Sequence, residues 1–164
     1  MTTLDVFKSR LAADGHLAVL VTTSPQRSDP QISVVNAAVI THPVTNQPVV
    51  AFVGRPGPKL INLRAVPRAT LVARAGWQWA ATRGRVELIG PDDPHPTADD
   101  NAYVSLFRSI YVAAGGRHPD LREYDRAMST ERRCVVLTHP EHVWSNPPGS
   151  EHLEPTGQLQ EPQP

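Results

Sequence analysis

A short stretch of this sequence brings cations, glycines and a helix start together. Val49-Val50-Ala51-Phe52-Val53 is an apolar run that ends in Gly54-Arg55-Pro56-Gly57-Pro58-Lys59, and Leu60-Ile61-Asn62-Leu63-Arg64 follows. The pattern reads as a strand, a glycine- and proline-containing turn, and a helix beginning at Lys59. Unpaired backbone N–H groups at a helix start, close backbone approach at glycine and two cations are what a phosphate group requires. The competing reading is a solvated turn, because neither Gly-x4-Gly-Lys-Ser/Thr nor Gly-x-Gly-x-x-Gly is present.

Other reactive residue types are scattered. Trp77 and Trp79 alternate along a strand and would share one face, as ring-stacking residues of a substrate pocket should, with dimer or core packing as the alternative. His139 and His142 have the spacing of a metal pair, but Pro140 separates them and no Cys or carboxylate cluster accompanies them, so no metal site is expected. His42, His95, His118 and His139 each precede a proline, which places them at turns. Cys134, the single cysteine, lies in an apolar strand and reads as a buried, inert thiol. No Gly-x-Ser-x-Gly elbow is present, and no catalytic side chain is assigned.

The charge distribution sharpens the phosphate reading. The chain of 164 residues has Lys+Arg 16 and Asp+Glu 16, which would ordinarily argue against an anionic partner. From Pro30 to Val86, however, stand Arg55, Lys59, Arg64, Arg68, Arg74, Arg83 and Arg85 without one Asp or Glu. The compensating acids lie in the later loop, helices and tail. A neutral protein with a cationic middle can hold a local anion-binding field. A nucleic-acid role fits less well, since aromatic residues are 5% and no recognition motif is present.

These residues need a scaffold, and the hydrophobic pattern supplies one. Leu4, Phe7 and Leu11 mark a short helix behind Thr3, with Gly15 ending it. Strands are expected at His16–Thr23, Gln31–Ile40, Val49–Val53, Arg68–Ala75, Trp77–Gly90 and Cys134–Thr138, with His142–Trp144 a possible extension after Pro140. In the fifth strand, Thr82, Gly84, Val86 and Leu88 alternate with Arg83, Arg85, Glu87 and Ile89, one face buried and one wet. Lys59–Val66 fits a short helix stopped by Pro67. Tyr103, Leu106, Phe107, Ile110, Tyr111 and Ala114 mark the strongest helix, closed by Gly115 and Gly116, and a second helical piece runs from Pro119 to Met128. Residues 1–145 thus form one mainly β domain with peripheral helices, an antiparallel Greek-key barrel. Asn146–Pro164, rich in Pro, Glu and Gln, reads as a disordered tail. No apolar run approaches a bilayer span and no signal peptide is expected, which points to a cytoplasmic protein.

A strand ending in Gly-Arg-x-x-x-Lys, then Asn-Leu-Arg and x-Pro-Arg-x-Thr-Leu, preceded by Pro-Gln-Ile-Ser and followed by Arg-Gly-x-Val-Glu-Leu-Ile, resembles the split β-barrel superfamily. These are the pyridoxamine 5′-phosphate oxidase-like oxidoreductases that use flavin or deazaflavin. The resemblance spans about residues 4 to 145. It implies a homodimer with the cofactor in a groove between subunits, Lys59 as the main phosphate ligand and Arg55 as its partner. It further implies that Val53 and Gly54 lie beside the cofactor and that Val34 and Asn36 border the flavin ring. Asn62 would cap or brace rather than touch it.

Many flavin-binding members carry a Ser or Thr hydroxyl where this chain has Val53 and Gly54. With the acid-free block, that difference favours the deazaflavin coenzyme F-420, which has a phosphodiester and a polyglutamate tail, over flavin mononucleotide (FMN). Fourteen arginines against two lysines suit an actinobacterial source, and such organisms make that coenzyme. The resemblance therefore implies a deazaflavin-dependent reductase passing hydride to a planar, electron-poor substrate. The alternatives are an FMN-dependent oxidoreductase and a non-catalytic flavin-, haem- or small-ligand-binding protein.

Overall fold

Residues 3–95 and 99–147 are described by a computed structural model, and they form a closed barrel of six antiparallel strands with four helices. Helix α1 (Leu4–Ala13) leads into β1 (Leu17–Thr23), β2 (Pro30–Thr41) and β3 (Pro48–Gly54). Helix α2 (Pro58–Ala65) precedes the hairpin of β4 (Arg68–Ala75) and β5 (Gln78–Ile89). Helices α3 (Asp100–Ala113) and α4 (Leu121–Thr130) come before the last strand, β6 (Cys134–Ser145). The order around the barrel is β1-β2-β3-β6-β5-β4, closed where Val19 pairs with Val72. The mainly β, antiparallel barrel expected from the strand pattern is the architecture found.

Long strands change partners partway, and that closes the sheet. Residues 30–36 of β2 pair with β1, whereas Ala37 to Thr41 pair with β3. Asn36 is the hinge residue between these two pairings. Its amide nitrogen lies within reach of three carbonyls, those of Gly15 (3.4 Å), His16 (3.3 Å) and Ala114 (3.4 Å).

Two apolar clusters flank the sheet. Inside the barrel, Leu20, Phe52, Leu71 and Val136 pack with Phe7 and Leu11 of α1 and with Leu60 and Leu63 of α2. Outside it, Val49, Ala51, Val135 and Leu137 are covered by Leu106, Phe107 and Ile110 of α3 and by Tyr124 of α4. Strand β3 and the first part of β6, residues 134–138, are therefore buried on both faces, which explains their continuous apolar runs. The same covering corrects the alternation expected in β5: Ile89 is buried in the outer cluster, and Leu88 only partly.

Strand β6 runs through Pro140, so His139 lies within a strand and not at a turn. Proline lacks an N–H to donate and is tolerated where the ladder is irregular. Here the register shifts between Arg83 and Gly84, and Gly84 faces Pro140. Trp77 belongs to the Gly76–Trp77 turn of the hairpin, one residue before β5, and is exposed. Thr3 occupies the N-cap of α1 without a side-chain cap bond, while Asp99 and Asp120 do cap α3 and α4. Asn146, assigned by composition to the tail, bonds both Trp77 O and the Trp79 N–H, and the rest of the tail from Pro148 lies outside the described residues.

One polar cluster stands apart on the barrel wall. The Glu87 carboxylate meets His42 Nε2 and His139 Nε2, both at 3.0 Å, and His95 Nε2 at 2.8 Å. His139 is thus grouped with His42 and Glu87, not with His142. The His42 Nδ1 accepts from the N–H groups of Val44 and Thr45, each at 3.1 Å, so its Nε2 carries the proton and donates to Glu87. A cation would have to displace that proton, and the cluster reads as a hydrogen-bonded brace. Burial pushes the Glu87 carboxyl up, but the bonds from His139 and His42 and the field of His42 and His95 hold it below the ordinary 4.5. Because the folded value is the lower one, the stabilisation is complete above 4.5 and is lost as pH falls through the folded value. Glu87→Gln is expected to cost about 2 kcal/mol at neutral pH. Its unfolding free energy should also fall less steeply than the wild type's during acid titration, as urea melts across pH would show.

Candidate functional site

The strand–turn–helix segment forms as its sequence suggests. Strand β3 ends at Gly54, buried against Cys134, and Arg55 emerges exposed at the start of the turn. Gly57 is the N-cap of α2 with φ 151°, a conformation that side chains disfavour, and Pro58 supplies the fixed first helical residue. No acidic residue occupies the first turn of α2. Lys59 therefore leaves the first turn of a helix whose dipole and side chains are both positive there.

A cavity of about 270 Å³ opens beside this turn. Of the residues singled out in the sequence, Val34, Asn36, Val53, Arg55 and Lys59 all line it. Gly54 and Asn62 do not. Asn62 is buried and donates to Thr22 Oγ1 (3.2 Å) and Gln31 Oε1 (2.6 Å), tying α2 to β1 and β2. Trp77 and Trp79 lie at the β4–β5 hairpin and are not part of this cavity.

The far wall comes from residues that carry no ligand-binding signal in the sequence. Ile110, Tyr111 and Ala114 of the α3 end, Tyr124 of α4 and Arg133 before β6 complete the lining. The α3 periodicity marked the first three as apolar but not which surface they would meet. Arg133 lies outside the acid-free block and carried no signal. The rings of Tyr111 and Tyr124 stack with centroids 4.5 Å apart, and the Tyr124 hydroxyl donates to Phe107 O. Burial, with Tyr111 beside it, pushes the Tyr124 phenol up to about 12. Burial likewise pushes the Cys134 thiol up to about 12, with Asp93 adding to the effect, as an inert cysteine requires.

Folding disperses the cationic block. Arg64 pairs with Asp93 at 2.7 Å, Arg68 with Glu141, and Arg74 lies 3.9 Å from Asp14. Arg83 and Arg85 point outward from β5. Only Arg55 and Lys59 of the seven reach the cavity, so the block does not make one long anionic groove. Strand alternation and helix geometry send the other five to different surfaces.

The closed antiparallel barrel with peripheral helices is a split β-barrel. No family model matches the sequence. Among solved structures, the chain is similar to a conserved hypothetical protein from Mycobacterium tuberculosis, with TM-score 0.61 and 15% identity over 88% of this chain and 84% of that one. A pyridoxamine 5′-phosphate oxidase-related, FMN-binding protein from Nostoc punctiforme matches with TM-score 0.57 and 16% identity over 88% and 86%. A haem storage protein from Vibrio cholerae matches with TM-score 0.54 and 11% identity over 86% and 90%. Among the described residues, no helix is long and apolar enough to cross a membrane.

Proposed function

We propose that this protein binds a planar, phosphate-bearing redox cofactor of the flavin or deazaflavin type in the cavity beside Lys59 and serves as an oxidoreductase. The observation that carries the reading is the convergence on one cavity of Lys59 and Arg55 with the Val34–Asn36 edge of β2. The donor set fits such a group: two cations at a helix start for the phosphate, and aliphatic side chains beside a strand edge for a ring. When bound, a flavin or deazaflavin supplies hydride transfer from its ring. The chain's own residues position and shield. Lys59 and Arg55 neutralise and orient the phosphate, Val34, Val53 and Ile110 exclude water from the ring, and Asn36 holds the β2 hinge to the α3 end.

The groove is proposed to be completed by a second copy of the chain. Leu17, Val19, Ile32 and Val34 are exposed on the outer face of β1 and β2, and the pairing of Val19 with Val34 and Val21 with Ile32 makes them one strip. Val34 belongs to both strip and cavity, so a partner seated on the strip would wall the pocket. Val34→Lys is expected to yield a folded monomer by sedimentation equilibrium. A dimer of unchanged affinity would show that the interface lies elsewhere.

The likeness to a haem storage protein favours haem binding as a second reading. The cavity argues against it, because among the described residues no His, Cys or Met lines it and the hydroxyls of Tyr111 and Tyr124 are engaged by the Arg117 and Phe107 carbonyls. Titration with FMN, coenzyme F-420 and haem separates the readings. Micromolar quenching of FMN or of F-420 supports the proposal and identifies which phosphate ester is used. Binding of haem alone overturns it, and tight flavin binding without hydride transfer to a quinone panel assigns a carrier.

A further inference from the structure

The α4–β6 turn carries a charge arrangement with consequences for this pocket. Glu131 closes α4 as its C-cap and Arg132 adopts a left-handed conformation, φ 48°. The chain reverses there, and Glu131 Oε2 accepts from Arg133 Nε at 2.7 Å with Arg133 Nη2 also at 2.7 Å. The same oxygen lies 3.4 Å from Arg55 Nη2. One carboxylate oxygen thus joins two guanidinium groups from distant parts of the chain, and both arginines line the cavity that holds Lys59. The Arg133 side chain is 18% exposed and Arg55 67%, so Arg133 is the one held in place by its surroundings.

We infer that Glu131 is a resident counter-ion which the ligand's phosphate replaces, and that Arg133 is a third anion-binding residue of the pocket. This rests on the reading that Lys59 and Arg55 receive a phosphate. Carboxylate and phosphate oxygens are equivalent acceptors for a guanidinium, but a phosphomonoester carries about −1.5 to −2 charges and three acceptor oxygens. Lys59, Arg55 and Arg133 all line the cavity, and Glu131 pairs with the two arginines while no carboxylate pairs with Lys59 among the described residues, which leaves a positive excess that an incoming dianion neutralises. Without ligand, Glu131 relieves the repulsion between the two guanidinium groups. It sits half exposed at a helix end, where rotation into water is inexpensive. Arg133 and Arg55 then keep an anionic partner in both states, and the ligand binds by exchange.

The test measures affinity of the full chain for FMN, for riboflavin, which lacks the phosphate, and for coenzyme F-420, a phosphodiester. Glu131→Gln is expected to tighten FMN or F-420 binding by about 3- to 10-fold, with riboflavin unchanged, because the competing anion is gone. Arg133→Met should weaken the same ligand about tenfold or more, and in the double variant the gain from Glu131→Gln should disappear. The ligand that shows the gain identifies the ester. Unchanged or weaker phosphate-ligand binding by Glu131→Gln, or equal tightening of riboflavin, overturns the exchange. If Lys59→Ala still abolishes the FMN–riboflavin difference in that case, the phosphate site stands and only the role of Glu131 fails. If Lys59→Ala has no effect either, both readings fall. Glu131 is surface-exposed, so this variant keeps the test valid even if Arg133→Met folds poorly.

Discussion

Lys59→Ala is expected to weaken binding of FMN or coenzyme F-420 by about 10- to 100-fold while leaving riboflavin binding nearly unchanged. Among the described residues no carboxylate pairs with Lys59, whereas Arg55, Arg64, Arg68 and Arg74 each have an acid within ion-pair distance. An ammonium group in that position has its full charge available to a ligand. It also extends from the first turn of α2, at the positive end of that helix's dipole. Lys59 is only partly buried and the substitution breaks no ion pair among the described residues, so the melting temperature should stay near the wild-type value. Fluorescence titration with the phosphorylated and unphosphorylated ligands in parallel isolates the phosphate contribution. Equal losses for FMN and riboflavin would place the phosphate elsewhere.

Gly84→Ala should be the most damaging single-methyl change in the barrel. A Cβ at Gly84 would fall 1.7 Å from His139 O and 2.7 Å from the His139 carbonyl carbon, both backbone atoms of the neighbouring strand. Relief requires β5 and β6 to separate where the register already shifts beside Pro140. The expected cost is at least about 3 kcal/mol, or about 10 °C in melting temperature for a domain of this size. Gly54→Ala is the control. There the nearest atom is Leu60 Cδ2 at 3.1 Å, the end of a flexible side chain, and a much smaller loss should be seen by the same thermal and denaturant melts. Similar losses in both would mean that the barrel wall is more pliable than the strand contact implies.

The local part of this architecture was legible because each element carries its own signature. Apolar alternation marked β5, the Leu106–Ile110–Ala114 spacing marked α3, and proline with glycine set the limits of α2. Where burial came from a distant element, the signature misled. Ile89 looks like a wet-face residue until α3 covers it, and His139-Pro140 looks like a turn until Gly84 opens space for the bulge. The pairing of His139 with His42 and Glu87 joins three strands or loops far apart in the chain, and no local spacing encodes it.

The candidate site divides in the same way. Its proposed phosphate end, Arg55 and Lys59, is contiguous, and a strand–turn–helix segment determines by itself that these cations meet a helix start. Val34 and Asn36 were marked as a possible ring edge by resemblance. Their approach to Lys59 depends on β2 exchanging β1 for β3 at Asn36. The opposite wall, with Tyr111, Tyr124 and Arg133, exists only because α3 and α4 fold back over β3 and β6 to bury that sheet's outer apolar face. The sequence alone thus determined the strands, the helices and the pair of cations at the turn, since these follow from local periodicity and backbone stereochemistry. The tertiary structure decided which of seven cations share a pocket and placed Arg133 there from outside the basic block, because strand pairing and apolar burial choose neighbours without regard to distance along the chain.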